Sequence, residues 1–510
     1  MKIINKILTL TAITSLLATS ACQDKLDELA ENKAFTQTTD YTLTANMVSP
    51  LVGMYAEFYS RGWEDFPLLA VRGDDVNAGG LGDQQDYAET DKFNYNKDYW
   101  MYNSLWQNSY ADIFTAHSAM EQITKYKEFA ADKTLADQYV AEAKTMRAWL
   151  LFNVSRTWGS IFIPESSDPS QLLVAKLSTK DEVMKHISDQ MDQVIPLLPN
   201  MHPNERTDIR GGMTKYTALA IKALANLELK NYPAVADATS QIINSGEFAL
   251  ESSYYDLFKI KGKLNTENLL ELQYSDLGKG SGDNFGYLYA FFGPQGWTPK
   301  VTGAGDGWGF FEPSLKYIKF MLDRGESVRL ETSVLFTNRG IAEIKKDSKY
   351  ATLPAWLSNT TRSGDKINDY ARALFASGKH YLPSSMLTPG RTDYGTNKNF
   401  PIIRYAEILL MHAEALTQGA TSSAMTALAA VNAVRTRAGL AALTSVNNAQ
   451  VMDEKLAELA MEWGTRYYDM VRLGKSAELS YDGRTFTDAK IFLPYPQSQV
   501  DLLPALKSKN

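Results

Sequence analysis

Apolar residues recur at spacings of three and four along much of the chain, which is the pattern of one buried face of an α-helix. Between residues 98 and 156 this pattern predicts two long helices. The apolar stripe of the second consists of Ala143, Met146, Leu150, Val154 and Trp158. Another helix is predicted over residues 180–198.

An alanine-rich segment follows over residues 215–246 and predicts a helical hairpin. Its first helix places Ala218, Ile221, Ala225 and Leu229 on one stripe, and its second helix opens at Pro233, a favoured first helical residue. Small residues on helix faces allow close packing, as in tetratricopeptide-type hairpins. The sequence therefore predicts a mainly α fold with a tetratricopeptide-like scaffold of helical repeats.

The helical period disappears between residues 278 and 311, where ten glycines and nine aromatic residues occur. This composition predicts a long insertion of loop or irregular β structure, which continues to about residue 398. The alternation of aromatic residues from Phe285 to Phe291 is compatible with a strand that buries one face.

Helical spacing returns at Pro401 and predicts helices over residues 401–416, 422–437 and 451–472. The predicted organisation is a signal peptide followed by a single domain. Its parts are residues 1–21 as the signal peptide, about 40–277 and 400–475 as the helical scaffold, about 278–398 as the insertion, and 476–510 as a closing segment, all within a domain of residues 22–510.

The N-terminus has the organisation of a secretory signal peptide. Lys2 and Lys6 precede a short apolar stretch, and small residues stand directly before Cys22, the only cysteine in the chain. This placement resembles the lipobox of bacterial lipoproteins, in which the cysteine is lipidated; a buried free thiol is the alternative. Several acyl chains on one residue hold a protein firmly at a bilayer, which a single chain does not.

Composition and charge argue against several classes of function. The chain has 52 Lys and Arg against 59 Asp and Glu, a net charge of −7, which argues against a nucleic-acid partner. One cysteine and five scattered histidines argue against a metal centre. Residues 474–476 and 303–307 contain fragments of nucleotide-binding motifs but lack their remaining glycines and context. No catalytic carboxylate pair is singled out, so no catalytic residue, cofactor or metal is predicted.

Five motifs occur in order along the chain. Residues 141–149 read AEAKTMRAW, 404–415 read RYAEILLMHAEA, 431–439 read VNAVRTRAG, 462–474 read EWGTRYYDMVRLG, and 492–497 read FLPYPQ. In this order, with the lipobox, they resemble the SusD/RagB family of outer-membrane nutrient-binding lipoproteins. From the residues alone, their expected role is packing, with Arg404–Glu407 and Glu462–Arg466 spaced as charge pairs on a helix.

The resemblance implies a non-enzymatic lipoprotein on the outer face of the outer membrane, where the acidic segment 23–28 resembles a Bacteroidetes export signal. It implies capture of an oligosaccharide or polysaccharide and delivery to a SusC-like TonB-dependent transporter. Two alternatives stay open. One is a peptide-capturing, RagB-like member of the same family, and the other is a surface lipoprotein glycosidase.

The resemblance also implies that an N-terminal loop region and the mid-chain insertion jointly form the glycan site. The expected glycan-binding residues are Arg72, Asp75, Asn77, Gln85 and Tyr87 in the first region and Tyr287, Tyr289, Trp297 and Trp308 in the second. An exposed aromatic ring stacks on the C–H face of a pyranose, and amides and acids bond its hydroxyls. The alternatives are a core role for the two insertion tyrosines and an ordinary turn around Asp75. A calcium ion at that turn lacks the full loop pattern.

Overall fold

The computed structural model describes residues 39–59, 69, 71–79, 81, 83–275, 286–298, 306–390 and 396–507. The predicted signal peptide and Cys22 lie outside these residues. Within them, the α-helices are α1 (Ser49–Tyr59), α2 (Gln85–Asp91), α3 (Trp100–Phe129), α4 (Lys133–Trp158), α5 (Lys180–Val194), α6 (Lys215–Glu228), α7 (Tyr232–Ser245), α8 (Leu288–Phe292), α9 (Leu315–Asp323), α10 (Val328–Ser333), α11 (Asn338–Lys345), α12 (Tyr405–Thr417), α13 (Ala427–Arg437), α14 (Asn448–Leu459), α15 (Thr465–Arg472), α16 (Gln497–Leu502) and α17 (Pro504–Lys507).

The β structure of the described residues is a set of four separate two-stranded antiparallel pairs. The strands are β1 (Val76–Ala78), β2 (Asn268–Leu272), β3 (Trp297–Thr298), β4 (Phe311–Pro313), β5 (Val334–Phe336), β6 (Lys366–Ile367), β7 (Phe375–Ser377) and β8 (Phe400–Arg404). They pair as β1–β4, β2–β8, β3–β6 and β5–β7. The β1–β4 pair joins the scaffold to the insertion, β2–β8 joins the two scaffold segments on either side of the insertion, and β3–β6 and β5–β7 lie within the insertion.

Helices α3 and α4 form the long antiparallel hairpin that the hydrophobic spacing predicts. Trp106 contacts Trp158 at one end, with ring centroids 5.1 Å apart, and Lys127 pairs with Asp137 at the other. The Asp132 side chain caps α4 by accepting a hydrogen bond from the Thr134 amide. Helices α5, α6 and α7 continue the array, and α7 packs against α12, which contacts α13 and α14. The mainly α, repeat-like scaffold is therefore confirmed.

Several predicted boundaries are wrong, and each has a local cause. The described residues of the insertion contain four helices, α8 to α11, and the first of these forms where the aromatic alternation after Phe285 was compatible with a strand. The segment from Pro401 begins as strand β8, because residues 400–404 pair with β2. The helix expected over 451–472 is two helices, α14 and α15, separated by residues with left-handed backbone at Met461, Trp463 and Gly464.

A buried network of ion pairs joins the two segments of the helical scaffold that lie on either side of the insertion in the sequence. We define it as Arg404, Glu267, Glu458, Glu462 and Arg437. The Arg404 guanidinium donates to Glu267 at 2.6 Å and to Glu458 and Glu462 at 2.9 Å. All five side chains are almost completely shielded from solvent.

The charge pairs expected within one helix are therefore wrong. Arg404 lies in β8 and reaches Glu462 in the turn before α15, while Arg466 bonds the Asp74 carboxylate at 2.7 Å. These motif residues link segments that are far apart in the chain. Their role is structural, as expected, but through tertiary ion pairs and not helical ones.

Candidate functional site

The two regions expected to form the site are neighbours in the fold. Strand β1, which begins four residues after Arg72, pairs with β4 at the end of the glycine-rich segment, with Asn77 opposite Glu312 and Ala78 opposite Phe311. Helix α2 follows β1 and packs beside it. Side chains of both regions consequently meet around β1 and β4.

A cluster of aromatic rings forms where these regions meet, and Tyr87 on α2 lies at its centre. The Tyr87 ring is buried and makes edge-to-face contacts with Phe291, Phe310 and Phe311, with centroids 5.7–6.1 Å apart. A fourth edge-to-face contact, at 6.4 Å, joins it to Trp100. Such geometry is the favourable arrangement for aromatic pairs.

Two tryptophans at the edge of this aromatic cluster are accessible to solvent. Trp100 is 52% exposed at the first residue of α3, and Trp308 is half-buried with its ring 5.1 Å from that of Phe291. We call the set Tyr87, Trp100, Phe291, Trp308 and Phe310 the aromatic shelf. Because the buried rings fix the positions of both indoles, the shelf offers preformed apolar faces to a ligand.

Polar groups surround the shelf. Gln85 is exposed on α2 and donates to Glu89 at 2.8 Å. The Arg372 guanidinium pairs with Asp83 and lies 5.8 Å from the centre of the Phe310 ring. The pKa of Tyr99, the residue before Trp100, is raised by partial burial and by the neighbouring carboxylates of Asp86 and Glu89. Hydrogen-bond donors and acceptors thus flank the exposed indoles.

Arg72 and Asp75, two of the expected contact residues, lie in the core. The Arg72 guanidinium is 1% exposed, sits 4.2 Å from the Tyr467 ring and donates to the Tyr468 hydroxyl at 2.9 Å. The Asp75 carboxylate accepts a hydrogen bond from the Met461 amide at 2.7 Å, and its burial raises its pKa to about 6. We therefore revise their expected role from sugar contact to support of the loop.

Asn77 is half-buried, and its side-chain oxygen is already engaged. That oxygen accepts hydrogen bonds from the Tyr481 hydroxyl at 2.8 Å and from Arg484 at 2.9 Å. Arg484 also binds the buried Asp91 carboxylate at 2.6 Å. Asn77 thus ties β1 to the closing segment of the chain.

Tyr289 and Trp297 belong to a second, buried aromatic cluster. Both are at most 4% exposed, and Trp297 packs edge-to-face on Tyr289 and on Tyr381. Their expected role, like that of Tyr87, is revised from contact to support, because packing leaves no ring face open. Tyr287 is half-buried directly before α8. Cys22 lies outside the described residues.

Three members of the shelf, Trp100, Phe291 and Phe310, are absent from the residues expected from the sequence, and Trp100 is the exposed one among them. Residues three, four and seven positions after it are Asn103, Ser104 and Gln107, so it lies on the polar face of α3. A large aromatic residue on a polar helix face is the signal that would have identified it.

The described residues contain no group of three or more histidine, cysteine, aspartate or glutamate side chains arranged to hold a metal ion. A search of the same part of the chain for helices long and apolar enough to cross a bilayer finds none.

Two family models match the chain, one in each half. The model described as "SusD family" matches residues 266–490, and the model described as "Starch-binding associating with outer membrane" matches residues 26–225. The matched segments lie on either side of residues 226–265 and together include both regions of the aromatic shelf.

Curated relatives align over nearly the whole chain. SusD-like protein P2 of Formosa agariphila is 24% identical over 489 residues, covering 91% of this chain and 90% of that protein. A SusD-like protein of Bacteroides ovatus is 23% identical over 493 residues, covering 92% and 83% respectively.

Solved structures share the fold. Surface glycan-binding protein A from Bacteroides fluxus has a TM-score of 0.73 at 21% identity, covering 90% of this chain and 96% of that one. The same-named protein from Bacteroides thetaiotaomicron, solved in complex with laminarihexaose, has a TM-score of 0.71 at 22% identity, covering 91% and 98%. At these identities the likeness establishes the fold.

Proposed function

This chain belongs to the SusD family, and from that premise we propose that it captures oligosaccharides or polysaccharides at the cell surface without chemically altering them. The aromatic shelf is the observation that carries this proposal. It holds two surface indoles on a buried aromatic support, with an amide, carboxylates and a guanidinium at its edge.

The chemistry of the shelf suits an uncharged or weakly charged sugar ring. Each indole offers an apolar face to the C–H side of a pyranose, and stacking contributes on the order of 1 kcal/mol per ring. Hydrogen bonds to Gln85, Arg372 and Asp83 add about 1 kcal/mol each after the loss of water contacts. A few such contacts correspond to millimolar to micromolar affinity.

Weak binding fits a protein that must release its ligand. We propose that the ligand passes to a SusC-like TonB-dependent transporter and that lipidation of Cys22 holds the protein on the outer face of the outer membrane. A shared membrane location raises the effective concentration of the two proteins for each other. A Cys22→Ser variant should fail to incorporate labelled fatty acid, and incorporation equal to that of the native protein would contradict the anchor.

Titration calorimetry with a panel of hexasaccharides tests the function. Laminarihexaose is the first probe, because a structurally similar protein was solved with it; maltohexaose, cellohexaose and a peptide library follow. We expect binding of at least one glycan and no release of shorter products during long incubation. Binding of peptides alone would move the protein to the peptide-capturing alternative, and glycan cleavage would overturn the non-enzymatic role.

A further inference from the structure

A cleft of about 600 Å³ opens where the end of α4 meets the closing segment of the chain. Its walls include Trp158, Gly159, Lys180, Lys490, Phe492 and Tyr495, and it shares no residue with the aromatic shelf. This volume lies within the range of sites that hold ligands of a few hundred daltons.

Specific contacts fix the walls of the cleft. Gly159 ends α4 with a φ of +77°, and a Cβ at this position would lie 3.0 Å from the Phe492 ring. The Leu493 amide donates to the Thr157 carbonyl at 2.9 Å, and the Tyr495 hydroxyl donates to the Ser160 carbonyl at 2.7 Å. The closing segment is therefore held on the scaffold in one register, so the cleft is preformed.

The rings in the cleft present mainly apolar faces. The Trp158 indole N–H already donates to the Pro494 carbonyl at 3.2 Å, as the Tyr495 hydroxyl does to Ser160. Phe492 is 36% exposed. The exposed Phe492 ring lies beside buried rings whose N–H and O–H groups already have hydrogen-bond partners. Such an apolar surface suits the C–H face of a sugar.

The charge of the cleft is positive. Lys180 and Lys490 are its charged lining side chains. Lys180 pairs with Glu228 at 2.6 Å, whereas the Lys490 ammonium lies 5.4 Å from the centre of the Tyr95 ring. Among the described residues, no carboxylate lies within ion-pair distance of Lys490. An exposed ring beside such a lysine is a site for a ligand that carries both an apolar face and an anionic group.

The buried Arg72 guanidinium lies behind the cleft and adds to the positive electrostatic potential there. Arg72 contacts Tyr467 and Tyr468 and donates to the Ile491 carbonyl at 3.4 Å, on the segment that forms the cleft wall. Within the described part of the chain, no carboxylate lies within ion-pair distance of Arg72, and its contacts there include the two tyrosine rings, the Tyr468 hydroxyl and the Ile491 carbonyl. Field lines from such a charge extend into a neighbouring cleft with low-dielectric walls.

We propose that this cleft is a second carbohydrate site and that it binds acidic saccharides containing uronate units. The sugar face packs on Phe492, and the carboxylate forms an ion pair with Lys490. This proposal does not depend on glycan binding at the aromatic shelf, so an experiment can disprove binding at either site without affecting the other.

Calorimetric titration with trigalacturonate at low salt tests the proposal, with maltotriose as the uncharged probe and tetraglutamate as the acidic peptide probe. We expect Lys490→Gln and Phe492→Ala each to weaken trigalacturonate binding at least tenfold. The control Lys507→Gln, at an exposed lysine outside the cleft, should stay within twofold of the native protein. Binding should also weaken as salt is added, because the ion pair is partly exposed.

The controls separate this site from the shelf. Trigalacturonate binding should persist in Trp100→Ala, and thermal unfolding should show that Lys490→Gln remains folded. Loss of binding in Trp100→Ala with retention in Lys490→Gln would overturn the second site and leave glycan capture intact. Absence of trigalacturonate binding, or equal binding of tetraglutamate through Lys490, would also overturn it.

Discussion

Glu312 on β4 is half-buried and lies two positions after Phe310 of the aromatic shelf. Its carboxylate accepts hydrogen bonds from the Leu374 amide at 2.7 Å and the Phe375 amide at 2.9 Å. Burial nevertheless dominates and raises its pKa to about 7, because desolvation disfavours the charged form. Strand β4, which begins one residue after Phe310 of the shelf, therefore contains a carboxyl group that titrates near neutral pH.

We expect Glu312 to make the protein less stable as pH rises. The folded state holds this proton more tightly than the unfolded chain, so its stabilising contribution is full below about pH 4 and is lost as pH approaches 7. In Glu312→Gln, the loss of unfolding free energy between pH 5 and pH 7.5 should shrink by about 2 kcal/mol. Urea unfolding at both pH values measures this, and an unchanged pH dependence would contradict it; the exposed Glu128→Gln is the control.

Because burial depends on tertiary packing, the sequence could identify only some of the residues that form the candidate site. The sequence singled out Trp308 and Gln85, and the structure places both at the aromatic shelf that we propose as the glycan site. The sequence could not show that Trp297 lies under Tyr381 or that Arg72 lies between two tyrosines, since those partners are tens to hundreds of positions away.

The break between helices α14 and α15 likewise could not be predicted from the local sequence. Apolar residues keep helical spacing across the break, so no local signal marks it. Two distant side chains hold the backbone there instead. Lys379 donates to the carbonyls of Glu458 and Ala460, and Asp75 accepts from the Met461 amide. Tertiary hydrogen bonds thus override the local helix preference.

A matched pair of glycines tests this break. Gly464 and Gly474 have almost the same left-handed φ, +69° and +68°, but a Cβ at 464 would lie 2.3 Å from the Leu69 carbonyl oxygen, whereas a Cβ at 474 has open space. Gly474→Ala should cost about 1 kcal/mol from backbone strain alone. Gly464→Ala should cost clearly more, about 3 kcal/mol, because overpacking adds to the strain. Equal losses in urea unfolding would show that this contact does not constrain the break.

At the scale of the whole molecule, the ionic network around Arg404 connects the residue before β2 with β8, α13 and α14. Removing Arg404 leaves Glu267, Glu458 and Glu462 buried without their shared partner. We expect Arg404→Met to lower the free energy of unfolding by about 3–5 kcal/mol at pH 7. Lys185→Met, which breaks the exposed pair with Asp189, should cost under about 1 kcal/mol.

The pH response distinguishes a lost charge pair from simple loss of packing. Arg404 is among the groups that lower the pKa of both Glu458 and Glu462. In Arg404→Met, these carboxyls should bind protons at higher pH, so acidification should recover part of the lost stability. A deficit of the same size at pH 5 and pH 7 would contradict the electrostatic explanation.

The overall architecture was more predictable than its parts. Long amphipathic helices such as α3 and α4 depend on periodicity within the segment, which the sequence displays directly. Two-residue and three-residue strands such as β1 and β3 depend on partners from other regions, and periodicity carries no information about them. The segment predicted as an insertion of loop or irregular β structure accordingly contains more helix than its sequence indicated.

Glycan binding at the aromatic shelf is the central claim, and two residues of one helix test it directly. Trp100 and Phe129 are the first and last residues of α3 and are similarly exposed, but only Trp100 belongs to the shelf. For whichever hexasaccharide binds, calorimetry should show at least a fivefold weaker affinity in Trp100→Ala and an unchanged affinity in Phe129→Ala. Equal affinities in both variants and the native protein would contradict the assignment of the shelf as the glycan site.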